Sequence, residues 1–251
     1  MLKRKKLFGI PMVIAGPEEA VTDVLKEKEK LAGQYISFAN AHTTVMAHED
    51  REFHEVQKGA FYVMPDGRPL SKLLRMRGYQ QADQIAGPDF MERMMEATEH
   101  GEVSHYFYGG SEETIRALEK KLRERYPELS IAGMESPPFR PLTEAEEQEM
   151  TDRINDSGAD FIWIGLGAPK QECFMAAHRG IFKGVMFGVG AAFDFHAKTV
   201  KRAPVWMQKC YLEWLYRLLQ EPRRLWKRYV VTNTKFLWMI LTYRRRNRKE
   251  F

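Results

Sequence analysis

The chain has 251 residues, 44% of them hydrophobic and 29% charged, with a formal net charge of +5. That length buries a full core and suits one large α/β domain plus an appendage. No apolar stretch reaches the roughly 18–20 residues that span a bilayer, and the two cysteines, Cys173 and Cys210, lie far apart without metal-ligand spacing and suit a reducing compartment.

Taken in chain order, Met1–Lys6 with Leu7–Ile10 mimics a signal peptide. Gly9 and Pro11 interrupt it, and Glu18-Glu19 stand where a small-residue cleavage site belongs, so Leu7–Ile14 reads as a short strand region. Tyr35–Asn40 reads as a strand, Thr43–Lys58 as helical, and Ala60–Met64 as a strand closed by Pro65-Asp66-Gly67. Met91–His100 is helical, and the strand His105–Tyr108 is broken by Gly109-Gly110-Ser111. Glu112–Tyr126 carries Ile115, Leu118 and Leu122 on one stripe and predicts an amphipathic helix. A short strand follows at Ile131-Ala-Gly and a Pro-rich loop at Ser136–Pro141. Thr143–Ser157 is a helix opened by a Thr143/Glu146 capping box. Phe161–Leu166 and Gly184–Val189 are apolar runs buried on both faces. Such runs alternating with helices predict a doubly wound, mostly parallel, Rossmann-like sheet.

Near Lys201-Arg-Ala-Pro204 the chemistry changes. Residues 201–251 hold fourteen Lys/Arg against three acids, a net +11, which leaves residues 1–200 at −6. The same segment carries Trp206, Trp214, Trp226 and Trp238, four of the five tryptophans. Residues 1–200 are therefore expected to form the α/β domain. Residues 201–251 are expected to form a basic, Trp-rich helical appendage, with helices at Val205–Gln220 and Pro222–Tyr229 broken at Glu221-Pro222. A basic face interleaved with Leu and Trp fits an anionic partner with an apolar side: a membrane surface, a lipid phosphate or a nucleic acid.

Three glycine turns follow three strands: Gly109-Gly110-Ser111, Gly165-Leu-Gly167-Ala-Pro-Lys170-Gln171-Glu172, and Gly188-Val-Gly190-Ala-Ala-Phe-Asp194. Ligands of open parallel sheets sit beyond the carboxyl ends of the strands, where glycine lets backbone N–H groups approach phosphate oxygens. The dinucleotide fingerprint is not met, since the third glycine is absent from both candidates, and no Walker Lys-Ser pair follows a strand. A nucleotide-type ligand thus points to Gly109, Gly110, Gly167 and Gly190, with Lys170 and Gln171 as hydrogen-bond donors toward its diphosphate. Asp66, directly after a strand and before Gly67, is either an ordinary Asp-Gly turn or a general base in the same cleft. Asn40 ends the neighbouring strand and can orient a sugar. Arg217, Arg224 and Arg228 share one face if the helices run on, and guanidinium forks suit phosphate oxygens. His42, His48 and His54, with Glu49, Asp50 and Glu52, match no metal spacing and read as a solvated helix face. No paired-aspartate turn of the kind that holds a metal on a diphosphate is present.

The strings Gly165-Leu-Gly-Ala-Pro-Lys-Gln-Glu172, Gly188-Val-Gly-Ala-Ala-Phe-Asp194, Lys201-Arg-Ala-Pro204, Leu212-Glu-Trp-Leu-Tyr-Arg217 and Glu221-Pro-Arg-Arg224, with Pro65-Asp66-Gly67 and Ala86-Gly87-Pro-Asp89, resemble the WecG/TagA/CpsF family of bacterial glycosyltransferases from about Leu7 to Tyr229. The resemblance implies a metal-independent, inverting transferase without a cofactor. It would take a UDP-sugar donor, often UDP-N-acetylmannosamine, and an undecaprenyl-diphosphate-linked sugar acceptor, in cell-surface polysaccharide synthesis. It implies a cytoplasmic protein, peripheral on the inner face of the membrane and bound to its anionic surface, and it leaves a homo-oligomer open. Asp66 matches the family's candidate base, Asn40 and Gln171 its substrate contacts, and Arg217 and Arg224 the appendage arginines. Asp194, closing the third glycine turn, joins the expected substrate-binding set. Two positions depart from the pattern. Gln84 and Ile85 stand where members often carry arginine before the Ala-Gly motif, and Phe38 replaces a hydroxyl residue two before Asn40. Both bear on the donor sugar, so UDP-glucose or a UDP-uronic acid is an alternative. A nucleotide-cofactor oxidoreductase is opposed by the broken fingerprint. A nucleic-acid-binding module using the tail is the more distant reading, since Trp and Leu at helical spacing favour lipid over bases and no nucleic acid is expected.

Overall fold

The computed structural model describes residues 1–204, 206–207 and 212–246, without the side chains of Arg217, Arg224, Arg228 and residues 244–246. The chain opens with a hairpin of β1 (Arg4–Leu7) and β2 (Ile10–Val13), where a single strand region was expected. Phe8 and Gly9 take φ of 52° and 84°, which folds the chain back between two four-residue strands. Then follow α1 (Pro17–Lys26), α2 (Lys28–Leu31), β3 (Tyr35–Ala39), α3 (Ala41–Glu49), α4 (Arg51–Gly59), β4 (Tyr62–Pro65), α5 (Arg68–Met76) and α6 (Gly87–Ala97). The middle of the chain holds β5 (Ser104–Gly109), α7 (Glu112–Arg125), β6 (Ser130–Glu135), α8 (Glu144–Asp156), β7 (Phe161–Gly165), α9 (Lys170–Ala177), β8 (Val185–Gly188) and α10 (Ala192–His196). Two C-terminal helices complete it, α11 (Glu213–Gln220) and α12 (Pro222–Arg246).

The eight strands form one sheet in the order β1-β2-β4-β3-β8-β7-β5-β6, parallel throughout except for the β1–β2 hairpin. This is the expected doubly wound α/β architecture. Alternation along each strand feeds two cores. Phe38, Phe90, Trp163, Phe187 and Phe193 gather on one face; Tyr35, Val63, Ile162, Met186 and Met175 gather on the other. Trp163 at the centre donates its indole N–H to His105 Nδ1 at 3.1 Å, and His105 Nε2 meets Thr98 Oγ1 at 2.9 Å. Burial pushes His105 down to about 3, so it stays a neutral hydrogen-bonding core residue.

The expected helix Thr43–Lys58 is two helices. Asp50 ends α3 and caps α4, accepting from Glu52 N at 2.8 Å and Phe53 N at 3.2 Å. In the C-terminal segment, α11 and α12 meet at Glu221-Pro222 as expected. α12 runs well beyond Tyr229, while the expected start of the first helix at Val205 lies outside the described residues. α12 lies along α3. Its Phe236 and Met239 enter the second core, Phe236 and Tyr243 pack on Phe8, and Lys235 pairs with Glu49 at 2.5 Å.

Chain reversal at the carboxyl edge creates a crevice. The helices after β3 pack Val45 and Phe53 on one face, whereas α10 after β8 packs Ala192 and Phe193 on the other. Neighbouring parallel strands whose connections leave in opposite directions open a cleft between their ends. Here it opens between Asn40 and Gly190.

Candidate active site

Asp66 sits one residue past β4 at this edge. Its amide donates to Ala39 O at 2.8 Å, as does that of Gly67 at 3.2 Å, so the β4 turn is stitched to the end of β3. A Cβ on Gly67 would lie 3.4 Å from Asn40 Cα, so the two turns are in contact. Asn40 caps α3, its Oδ1 accepting from His42 N at 3.0 Å and Thr43 N at 3.2 Å, and its polar side chain favours the ionised Asp66 carboxyl. The stitching of the two turns thus sets Asp66 beside Asn40. Gln84 Nε2 donates to Asp66 O at 2.6 Å, and Ile85 N to Pro65 O at 3.0 Å, which lays the 83–86 segment along the turn.

That segment leads into α6, whose first-turn Asp89 is engaged by both terminal nitrogens of Arg202. Arg202 Nε reaches Glu213 at 3.1 Å in the first turn of α11. The C-terminal segment thus brings Arg202 and Glu213 within electrostatic reach of Asp66. Burial, then the charge of Glu213, then that of Asp89 raise Asp66 to about 7, against the polar Asn40 side chain and the Arg202 charge. An aspartic acid that titrates near neutrality, at the head of a crevice, is suited to exchanging a proton with a ligand.

The glycine turns line the rest of the edge. Gly110 N donates to Gly165 O at 3.1 Å, and a Cβ on Gly109, at φ 133°, would lie 2.6 Å from the Gly165 carbonyl. Gly109→Ala is accordingly expected to cost about 2–4 kcal/mol, from overpacking together with backbone strain, read as a lowered urea midpoint. Gly167 (φ 75°) has open space around it, and Lys170 is exposed at the start of α9. Asp194, in α10, accepts from Thr114 Oγ1 at 3.1 Å and so braces α10 against the start of α7 beside Gly110.

Gln171 packs against the glycine turn after β8. It is buried, and its amide donates to Gly188 O at 2.9 Å and Glu172 Oε1 at 3.0 Å, engaging both hydrogens inside the protein. Its own oxygen, close to Gly190, has no hydrogen-bond partner, nor does Glu172 Oε2. Burial raises Glu172 to about 7. Gln171 thus supports the Gly188–Gly190 turn from below, and a diphosphate in the cleft would meet backbone amides first. Arg217 and Arg224 lie in α11 and α12, and their side chains fall outside the described residues. Phe38 is buried 5.4 Å from the Phe90 ring, which makes the floor under Asn40 apolar. Among the described residues no three His, Cys, Asp or Glu side chains gather as a metal-ligand set. His54 Nδ1 instead meets Ala47 O at 3.2 Å, and His42 Nδ1 meets Thr232 Oγ1 at 3.3 Å. The residues that sequence reasoning missed are Arg202 and Glu213. Arg202 lay inside a recognised motif string, but nothing local signals its reach to Asp89.

Glycine turns and a near-neutral aspartate gather at the carboxyl edge of a doubly wound sheet, the edge at which α/β enzymes bind their ligands. The profile of the Glycosyl transferase WecG/TagA/CpsF family matches residues 5–250, and the chain belongs to that family. It is 30% identical over 220 residues, 87% of this chain and 83% of the relative, to the Bacillus subtilis (strain 168) N-acetylglucosaminyldiphosphoundecaprenol N-acetyl-beta-D-mannosaminyltransferase. It is 28% identical over 218 residues, 86% and 82% of the two chains, to the protein of the same name from Bacillus spizizenii (strain W23).

Proposed function

We propose that the chain is an inverting glycosyltransferase that moves a hexose or N-acetylhexosamine from a UDP-sugar, of the N-acetylmannosamine type, onto an undecaprenyl-diphosphate-linked sugar. The observation that carries this reading is Asp66. It is a carboxylate poised near neutrality at the carboxyl edge, beside Asn40 and within the electrostatic reach of Arg202 and Glu213 of the C-terminal segment. The names of the two Bacillus relatives supply the acceptor class. In the proposed reaction the Asp66 carboxylate accepts the proton of the acceptor hydroxyl, whose oxygen attacks the anomeric carbon as the bond to the UDP oxygen breaks. UDP leaves with that electron pair. Backbone N–H groups of the glycine turns, Lys170 and the arginines of α11 and α12 offset the charge growing on the diphosphate, with no resident metal.

The acceptor is a lipid, and the C-terminal helices offer a matching surface. No helix among the described residues is long and apolar enough to cross a membrane. α12 instead exposes Trp226, Val230, Leu237, Trp238 and Leu241, and α11 exposes Trp214 beside Glu213. An apolar band flanked by exposed Arg223 and Lys227 fits the surface of an anionic bilayer. We take the protein to act from the cytoplasmic side, peripherally.

A thermal-shift panel of UDP-, GDP- and dTDP-sugars tests the donor class: UDP-sugars raise Tm, and a response to NAD with none to UDP-sugars overturns it. Phe38 and Gln84 make a panel of several UDP-sugars necessary. The pH dependence is a second test. Below about 7 Asp66 keeps its proton and cannot accept another, so kcat/KM rises with pH through that value. Glu213→Gln removes a nearby negative charge, lowers the Asp66 pKa, and moves the acid limb to lower pH. A limb that stays in place separates Glu213 from Asp66.

A further inference from the structure

The loop between β6 and α8 rises from the same edge of the sheet. Ser136 Oγ donates to Gly110 O at 2.8 Å, which fastens the start of the loop to the glycine turn after β5. From there the chain runs Pro137-Pro138-Phe139-Arg140-Pro141, and each proline fixes its φ and stiffens the path. The far end is held as well. The Arg140 guanidinium forks onto Glu146 at 2.7 and 2.6 Å, and Glu146 closes the capping box with Thr143 at the start of α8. Between these anchors Phe139 is 94% exposed, the most exposed large apolar side chain among the described residues. A lone surface phenylalanine needs no explanation by itself. A phenylalanine held open on a stiff loop, tethered at both ends and bonded to a phosphate-type turn, is a built feature.

Resting on the nucleotide-sugar reading above, we propose that Phe139 is the platform on which the donor's nucleobase stacks. Distance supports the assignment. Gly110 ends a strand four places from that of Asp66, and strands lie about 4.8 Å apart, so the two ends of the cleft are roughly 19 Å apart. A donor laid along the edge, with its diphosphate over Gly190 and Gly167 and its sugar reaching toward Asp66, directs its base toward Gly110 and Ser136. Asp194 and Thr114 already brace that end. No side chain covers Phe139, so its ring face is free to stack, and every base presents a π face to it.

The test compares wild type, Phe139→Ala and Phe139→Trp by calorimetric titration with UDP and with inorganic pyrophosphate, which has no base. It adds cosedimentation with phosphatidylglycerol vesicles. Stacking of one base on one aromatic predicts a loss of roughly 10-fold in UDP affinity for Phe139→Ala. Pyrophosphate affinity should stay unchanged and UDP affinity should be retained in Phe139→Trp, with the donor KM rising in step for the alanine variant. Equal UDP affinity in wild type and Phe139→Ala overturns the stacking alone, as does an equal loss for pyrophosphate. Vesicle binding that falls while UDP binding holds would move Phe139 to the membrane surface. Wild-type protein that binds no UDP would bring down the nucleotide-sugar reading and this inference together.

Discussion

Asp66→Asn is expected to slow sugar transfer by about 10²–10⁴-fold, the usual loss for a general base, while UDP binds almost as in wild type. Two features of the geometry separate these effects. The carboxyl lies on β4, beyond the β3–β8 crevice from the turns at Gly167 and Gly110, so its loss leaves the proposed diphosphate contacts standing. Asparagine also leaves untouched the backbone bonds to Ala39 and Gln84 that shape the turn. Stability gives an independent check. The folded pKa of Asp66 is raised from 3.8 to about 7, so ionisation opposes folding. That penalty develops as pH climbs from about 4 to 7 and persists above it. The asparagine variant is therefore expected to melt no lower than wild type at pH 8. A slow variant that also melts well below wild type would point to structural damage, and turnover at the wild-type rate would remove Asp66 from the chemistry.

The sheet was legible because its central strands are unusually uniform. Phe161–Leu166 and Gly184–Val189 have no polar face to hide, and only strands covered by helices on both sides tolerate that. Other elements were missed for local reasons. Pro17 with Glu18 and Glu19 marks the start of α1, and Asp50 marks the start of α4, yet hydrophobic period alone runs past such caps. The hairpin at Phe8-Gly9 depends on a non-glycine residue accepting positive φ, which no pattern announces. The candidate site divides in the same way. Asp66 and the glycine turns follow from the rule that ligands gather at carboxyl ends. The orientation of Gln171 does not, because it depends on where Gly188 O falls on another strand. Arg202 and Glu213 are least legible of all. Their meaning lies in a meeting with Asp89 and Asp66 that only the packed C-terminal segment creates.

That packed segment has two faces, and the second large effect follows from their difference. Leu225, Phe236 and Met239 of α12 are buried, while Leu237, Trp238 and Leu241 are each close to 60% exposed. Changing the outer set to serine removes apolar surface left mostly open among the described residues, so Tm should change little. If that face enters the headgroup region, partial burial is worth about 1 kcal/mol per side chain, and the triple variant should bind phosphatidylglycerol vesicles about 100-fold more weakly. Phe236→Ala should do the reverse, lowering stability by about 3–4 kcal/mol through a core cavity, with vesicle binding intact wherever the protein remains folded. Salt supplies a further discriminator. Exposed Arg223 and Lys227 act through solvent, and raising ionic strength from 0.1 to 1 M shortens the screening length from about 10 to 3 Å. Wild-type binding should therefore weaken with salt, and what persists should be the apolar share that the triple variant has lost. Undiminished vesicle binding by that variant would show that lipid is met elsewhere, with the exposed Trp206 and Trp214 nearer the cleft as the next surface to alter.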